Sequence, residues 1–253
     1  MKPVVGFFSF TGCSGCTLEV IHQEGIFLDL MDKMKIVHFP LVQGKNALCD
    51  LDIAVVEGSI STKEQQEKLL LIRQKSKFLI ALGACSGIGG VNAIRNTLNE
   101  KQVEKLVYSG KNKWKSTRLE PIGKFVPVDY YVRGCPPVKE DFDCALKQLL
   151  LRSKPFVYNQ PVCSECRIKE NPCLLSQGRL CLGPITFGGC DAICPSNKLP
   201  CDGCRGKTED ANFNALKQVL EDNGFSKQDI KKLASLFNSN VDFSTKVEVV
   251  KPK

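Results

Sequence analysis

No hydrophobic run in this 253-residue chain approaches the length of a membrane span. No leader-like segment precedes the first motif, since Met1-Lys2-Pro3 runs straight into Val4–Phe10 and polar Thr11. The expectation is a cytoplasmic, non-spanning protein. Histidine is scarce, and His22 and His38 have no metal-ligating partner at useful spacing, so both read as structural or surface residues. A dinucleotide loop is excluded because Gly87-Ile88-Gly89-Gly90 lacks the G-x-G-x-x-G spacing. The formal charge is +8, with Lys101, Lys105, Lys111, Lys113, Lys115 and Arg118 around Trp114. A solvated or partner-facing loop is the commoner meaning of such a segment, and no nucleic-acid partner is expected.

Cysteine is what the chain has. Fourteen in 253 residues fall well short of a small disulfide scaffold, and in a reducing compartment clustered cysteines read as metal ligands. Twelve form two patterns: Cys13, Cys16, Cys85 and Cys135 are dispersed, whereas Cys163, Cys166, Cys173, Cys181, Cys190, Cys194, Cys201 and Cys204 are packed into 42 residues. Four thiolates satisfy one tetrahedral zinc or one iron–sulfur cubane, so the count implies three metal centres and an electron relay.

The apolar pattern of the first half is that of an α/β sheet. Val4–Phe8, Ile53–Val56 and Phe78–Leu82 are short continuous runs suited to strands buried on both faces. Residues 17–31 and 62–74 read as helices, with Ser61 and Glu64 as a capping box for the second. Strand, loop and helix then repeat, which predicts a flavodoxin-like, doubly wound parallel sheet. Loops leaving the carboxyl ends of such strands converge on one edge. There Cys13-Ser14-Gly15-Cys16, Gly83-Ala84-Cys85-Ser86-Gly87 and Arg133-Gly134-Cys135-Pro136-Pro137 can build a single four-thiolate site. In the third segment proline suits the first turn of a helix over 141–151. A thioredoxin-type dithiol at Cys13 and Cys16 would need neither Cys85 nor Cys135. Glu57 falls on the same edge, as a cap, a solvated carboxylate or a group beside the site.

Composition changes after Pro155. From Pro161 to Gly206 there are eight cysteines, six glycines and five prolines with little apolar periodicity, so this segment is expected to need metal to fold. Two zinc sites are the bland alternative. The two quartets and the Cys194-Pro195 pair favour two 4Fe-4S clusters in a ferredoxin-like region, and the spacing leaves open which cysteines share a cluster. Cys144, among apolar neighbours of a helix, reads as core, and Cys49 has no assigned role. Phe213, Leu216, Val219 and Leu220 mark a helix ended by Asn223-Gly224, and Ser226 caps a second. The resulting division is 1–155, a flavodoxin-like unit; 156–207, a cysteine-rich unit; and 208–253, a helical extension.

T-G-C-S-G-C, E-G-S-I, G-A-C-S-G-I-G-G and R-G-C-P-P together resemble the small subunit of nickel–iron hydrogenases, whose fold is shared with a cluster-bearing subunit of respiratory complex I. The stretches P-V-C-S-E-C-R, C-L-G-P-I-T, G-C-D-A-I-C-P and C-D-G-C-R-G resemble, more narrowly, the delta subunit of cytoplasmic NAD(P)-linked hydrogenases, or sulfhydrogenases. The resemblance implies that Cys13, Cys16, Cys85 and Cys135 hold the proximal 4Fe-4S cluster facing the nickel–iron site of a separate large subunit. It further implies flavin/NAD(P)-binding and iron–sulfur partner subunits. Only Cys49 and Cys144 remain once three clusters are filled, too few for a nickel–iron site, so no catalytic residue is expected on this chain. Small subunits feeding heterodisulfide reductase or reducing a deazaflavin are the alternative, and a zinc-stabilised interaction module is the non-redox one.

Overall fold

The computed structural model describes residues 2–22, 28, 32–107, 117–151, 153 and 155–239. Five strands, β1 (Val4–Ser9), β2 (Lys35–His38), β3 (Leu51–Glu57), β4 (Ser76–Leu82) and β5 (Tyr130–Val132), form one parallel sheet in the order β2-β1-β3-β4-β5. This is the expected flavodoxin-like α/β architecture. β2 has only four residues and a part-buried pattern, so no long apolar run announced it.

Period-two alternation divides the strand side chains between two cores. Val5, Phe7, Ile53, Val55, Ile80 and Leu82 face one side, under α1 (Gly15–Ile21) and α5 (Lys139–Leu150). Phe8, Ala54, Val56, Leu79 and Ala81 face the other, against Leu69 and Ile72 of α2 (Lys63–Gln74). Each fully buried large side chain contributes about 1.5–3 kcal/mol relative to exposure, which is what holds the sheet between its helices.

Several local expectations are corrected. The cap of α2 is Thr62, whose side chain accepts from Gln65 N, one residue beyond the expected Ser61; Gln65 Oε1 instead accepts from Ser61 N at 2.8 Å. α1 begins at Gly15, and most of residues 23–31 lie outside the described residues, as does Trp114 with Lys111, Lys113 and Lys115. β5 occupies only the end of the apolar stretch from Val126. Pro136 and Pro137 precede α5 rather than entering its first turn. Cys144 is exposed, not core. The buried stripe of α5 is Phe142, Ala145, Leu146 and Leu149, and a residue two positions after Phe142 points away from it.

Short helices α3 (Gly83–Ile88) and α4 (Glu100–Val107) follow β4. Beyond them α6 (Val162–Ile168) and α7 (Ile193–Ser196) sit among loops tied by isolated antiparallel bridges, Pro161 to Phe187 and Thr186 to Lys207. α8 (Phe213–Asp222) and α9 (Lys227–Asn238) bring Leu216, Leu220 and Ile230 onto Leu182 and Ile185. Ser226 and Asp229 form the capping box of α9, which also packs against α3 and the 3-10 turn Val91–Thr97.

Candidate metal centre

The sheet register brings the first thiol set together. Ser9 pairs with Glu57, Glu57 with Leu82 and Leu82 with Val132, so four strands end in one row. Cys13, Cys85 and Cys135 lie three or four residues past their strand ends, and Cys16 enters on the first turn of α1. Strands about 4.8 Å apart thereby carry cysteines up to 122 positions apart in sequence to one place. The loops make room for sulfur. Gly83, at φ +83°, leaves its Cβ position to Cys16 Sγ, and a Cβ on Gly90 would stand 2.9 Å from Cys85 Sγ. Ala84 N donates to Gly134 O at 2.8 Å, locking the second loop to the third.

Glu57 is 2% exposed. Its Oε1 accepts from Cys16 N at 3.1 Å, and its Oε2 from Thr17 N at 3.1 Å and Thr17 Oγ1 at 2.6 Å. Of the roles open from sequence, the cap is the one these bonds describe: the carboxylate satisfies free N–H groups at the start of α1. Asn92 was not singled out from sequence. Its Nδ2 donates to Thr11 O at 3.0 Å and approaches Cys85 Sγ at 3.5 Å, and an asparagine after a glycine run carries no signal of that role.

Burial pushes the Cys16 thiol far upward, with Glu57, Cys85, Cys135 and Cys13 adding repulsion. Cys85 is pushed up to about 12 by burial and then by Cys135, Cys13 and Glu57, and Cys135 is raised for the same reasons. These repulsions come from thiols gathered at one edge of the sheet. A polycationic core would reverse that penalty and release the thiol protons.

The eight remaining thiols lie near one another in the region that follows, with Cys181 and Cys201 in one buried cluster. Cys163 is pushed up to about 12 by burial and then by Cys181, Cys166 and Cys173, and these four line one largely apolar cavity of about 240 Å³. Cys204 is pushed up to about 11, by burial, with Cys190 and Cys194 repelling it, and Cys201 is raised chiefly by burial. Cys173 differs: exposed, it is lowered by hydrogen bonds from Ser176. Glu165, between the first two cysteines of this region, accepts from Gly189 N at 2.8 Å and Ala192 N at 3.2 Å, so its carboxylate ties one quartet's helix to the other quartet's loop. Its spacing inside C-S-E-C gave no hint of this.

Peptide N–H groups meet two of these thiols. The Cys135 peptide N–H favours the charged Cys204 thiolate, and Cys201 N donates to Cys181 Sγ at 3.3 Å. Cys204 thus adjoins the first thiol set, and Cys201 adjoins Cys181. Among the described residues no three His, Cys, Asp or Glu side chains are grouped to hold a single ion. One tetrahedral zinc would draw its sulfurs to within about 3.8 Å of each other, given Zn–S bonds of about 2.3 Å. All-thiol sets of four are a donor chemistry shared by tetrahedral zinc and iron–sulfur clusters. Cys49 is half-buried against the α2-side core. His38 Nδ1 lies 2.7 Å from Phe7 O and its ring stacks on Phe8, as expected of a structural histidine.

The structure is a parallel α/β sheet whose carboxyl edge gathers four cysteines, with eight more in the region that follows. Residues 13–149 match the family described as NADH ubiquinone oxidoreductase, 20 Kd subunit. The chain is 38% identical to the sulfhydrogenase 2 delta subunit of Pyrococcus furiosus, with 86% of this chain and 94% of that protein covered. It is 32% identical to the G subunit of the vhu F420-non-reducing hydrogenase of Methanocaldococcus jannaschii, covering 92% and 93%. Among solved structures, an NAD+-reducing [NiFe]-hydrogenase in its H2-reduced state aligns with TM-score 0.56 and 27% identity over 62% of this chain and 95% of that one. The chain belongs to the NADH ubiquinone oxidoreductase 20 kDa subunit family, as a small subunit of nickel–iron hydrogenase type. Among the described residues no helix is long and apolar enough to cross a membrane.

Proposed function

We propose that this chain is the electron-transfer subunit of a cytoplasmic nickel–iron hydrogenase, relaying electrons between the nickel–iron site of a large subunit and a flavin/NAD(P)-binding or iron–sulfur partner. The observation that supports the proposal is the gathering of Cys13, Cys16, Cys85 and Cys135 at one sheet edge, with Cys204 beside Cys135 and Cys201 N donating to Cys181 Sγ at 3.3 Å. Three bound 4Fe-4S clusters would supply one-electron stations spaced for tunnelling. Cys13, Cys16, Cys85 and Cys135 would hold the proximal one, Cys190, Cys194, Cys201 and Cys204 the middle one, and Cys163, Cys166, Cys173 and Cys181 the outer one. This consecutive partition is supported by the repulsion of Cys163 by Cys181, Cys166 and Cys173 and of Cys204 by Cys190 and Cys194, while Cys201 is repelled by Cys181 as well as by Cys204. Cys135 N–H and Cys201 N–H stabilise the neighbouring quartet's sulfur charge, and exposed Cys173 brings the outer set to the surface where a partner can meet it. In this reading 1–155, 156–207 and 208–253 are the proximal unit, the relay unit and a helical buttress. The likeness to an NAD+-reducing [NiFe]-hydrogenase favours an NAD(P)-linked complex. The comparable coverage of the Methanocaldococcus relative favours, as a second reading, a complex serving another acceptor.

Anaerobic purification with co-eluting subunits, followed by iron, nickel and zinc analysis, tests the proposal. About twelve irons on this chain are expected, with nickel on a partner. Cys135→Ser should remove about four irons and stop hydrogen-driven reduction of the acceptor. A native complex rich in zinc and free of iron rejects the relay, and hydrogen-driven reduction surviving without the proximal cluster rejects the assignment of the first quartet.

A further inference from the structure

The guanidinium of Arg205 is a buried cation between the first and second thiol quartets. It follows Cys204 directly, is 5% exposed, and lies over Gly189, where an added Cβ would stand 2.6 Å from its Nη2. Its Nε donates to Gly188 O at 2.7 Å, its Nη1 to Arg133 O at 2.9 Å and its Nη2 to Asp141 Oδ2 at 2.8 Å. Gly188 and Gly189 lead into Cys190, Arg133 leads into Cys135, and Asp141 begins α5 beneath that loop. A single side chain thus touches the backbone before one ligand of each quartet and pairs with a carboxylate 64 positions away. Arg133 reinforces the positive field, its guanidinium 3.9 Å from the Phe187 ring centroid.

We propose that Arg205 is a potential-setting residue, a fixed charge held by Gly188, Arg133 and Asp141 that favours electron occupancy of the centre at Cys190, Cys194, Cys201 and Cys204. The proposal rests on the relay reading above and deepens it. A thiolate-bound cluster becomes more negative by one charge on reduction, so a buried cation beside it stabilises the reduced form, and in a low-dielectric surrounding water screens little of that attraction. Arginine suits the post because it stays charged when buried and its fork fixes the charge in three directions. Asp141 opposes part of the field while fixing the position. This gives the two partners effects of opposite sign, which a merely structural latch would not show.

The test is a redox titration, followed by electron paramagnetic resonance, of the anaerobically purified complex. The middle centre is identified by the signal that Cys194→Ser abolishes. With Arg205→Gln the reduced-to-oxidised ratio of that centre at a fixed potential should fall about tenfold, equivalent to about 59 mV for one electron. Asp141→Asn should move the ratio the other way, and Arg205→Lys, which keeps the charge but not the fork, should move it less than Arg205→Gln. If Arg205→Gln does not assemble, the Asp141→Asn and Arg205→Lys pair still decides. Shifts of the same sign, or no shift, in preparations holding about twelve irons per chain overturn this inference and leave the relay standing. An iron-free wild-type complex overturns both.

Discussion

At the scale of single residues, the site depends as much on where side chains are missing as on the thiols. Gly83 is the sharpest case. Its φ of +83° disfavours any side chain, and the place where a Cβ would go is taken by Cys16 Sγ. Gly83→Ala therefore combines backbone strain with displacement of a ligand sulfur. The expected outcome is a loss of about four irons per chain with the other eight retained, measured by iron analysis against an Ala control at Gly178, which has open space around its Cβ position although its φ is also positive. Full iron content in Gly83→Ala would remove this account of the loop. The sequence displayed the twelve cysteines plainly, because ligation chemistry restricts residue type. It hid Asn92, Glu165 and Arg205, because their roles come from distance in space and amide, carboxylate and guanidinium groups serve anywhere on a surface.

At the scale of elements, the three inner strands could be read directly, since burial on both faces imposes unbroken apolar runs. β2 could not, because an edge strand of four part-buried residues needs no such run. Its anchor is His38, held by Phe7 O and stacked at 4.3 Å on Phe8. Burial, outweighing the bond to Phe7 O, and then the nearby Lys68 charge leave the His38 pKa below its ordinary 6.5. The unfolded chain then takes up the proton more readily than the folded one. The stabilisation is complete above the unfolded value near 6.5 and is lost as pH falls through the lower folded value. Thermal unfolding of wild type and His38→Asn should accordingly differ most at pH 7.5 and converge towards pH 5. A gap that widens on acidification would contradict this assignment of the buried neutral ring. Element boundaries were also misjudged where chemistry is degenerate: Ser61 and Thr62 are both good caps, and the Gln65 N–H bond is what selects Thr62.

At the scale of the whole molecule, the two parts of the chain are stabilised by different means. The sheet has a core on each face, built from side chains such as Phe7, Phe142, Leu69 and Leu79 that are essentially fully buried. The cysteine-rich region has a smaller buried cluster of Val162, Cys181, Ala192 and Cys201, two of which are thiols, with Leu174 and Phe187 also buried. Leu182 and Ile185 extend this region into a shared cluster with α8 and α9. On the proposed reading metal ligation is the main constraint over 163–204, and α8 and α9 pack on that region through Leu182 and Ile185 with the part-buried Leu175 and Leu180. Iron removal should open these residues first and leave the sheet folded. Buried thiols add a pH dependence to the metal-free chain. Cys204 is held up to about 11 and Cys163 to about 12 by burial, whereas an unfolded thiol ionises near 9. The metal-free fold is thus most secure below pH 9 and loses stability as pH rises through those higher values. Limited proteolysis after chelation under reducing conditions reads both effects. Early cuts should fall between 163 and 239, with a resistant fragment ending near Leu150, and raising the pH from 7.5 to 9.5 should accelerate the first cuts more than the later ones. Simultaneous loss of the sheet, or protection of 163–239 without iron, would mean that ordinary packing rather than metal holds the relay region together.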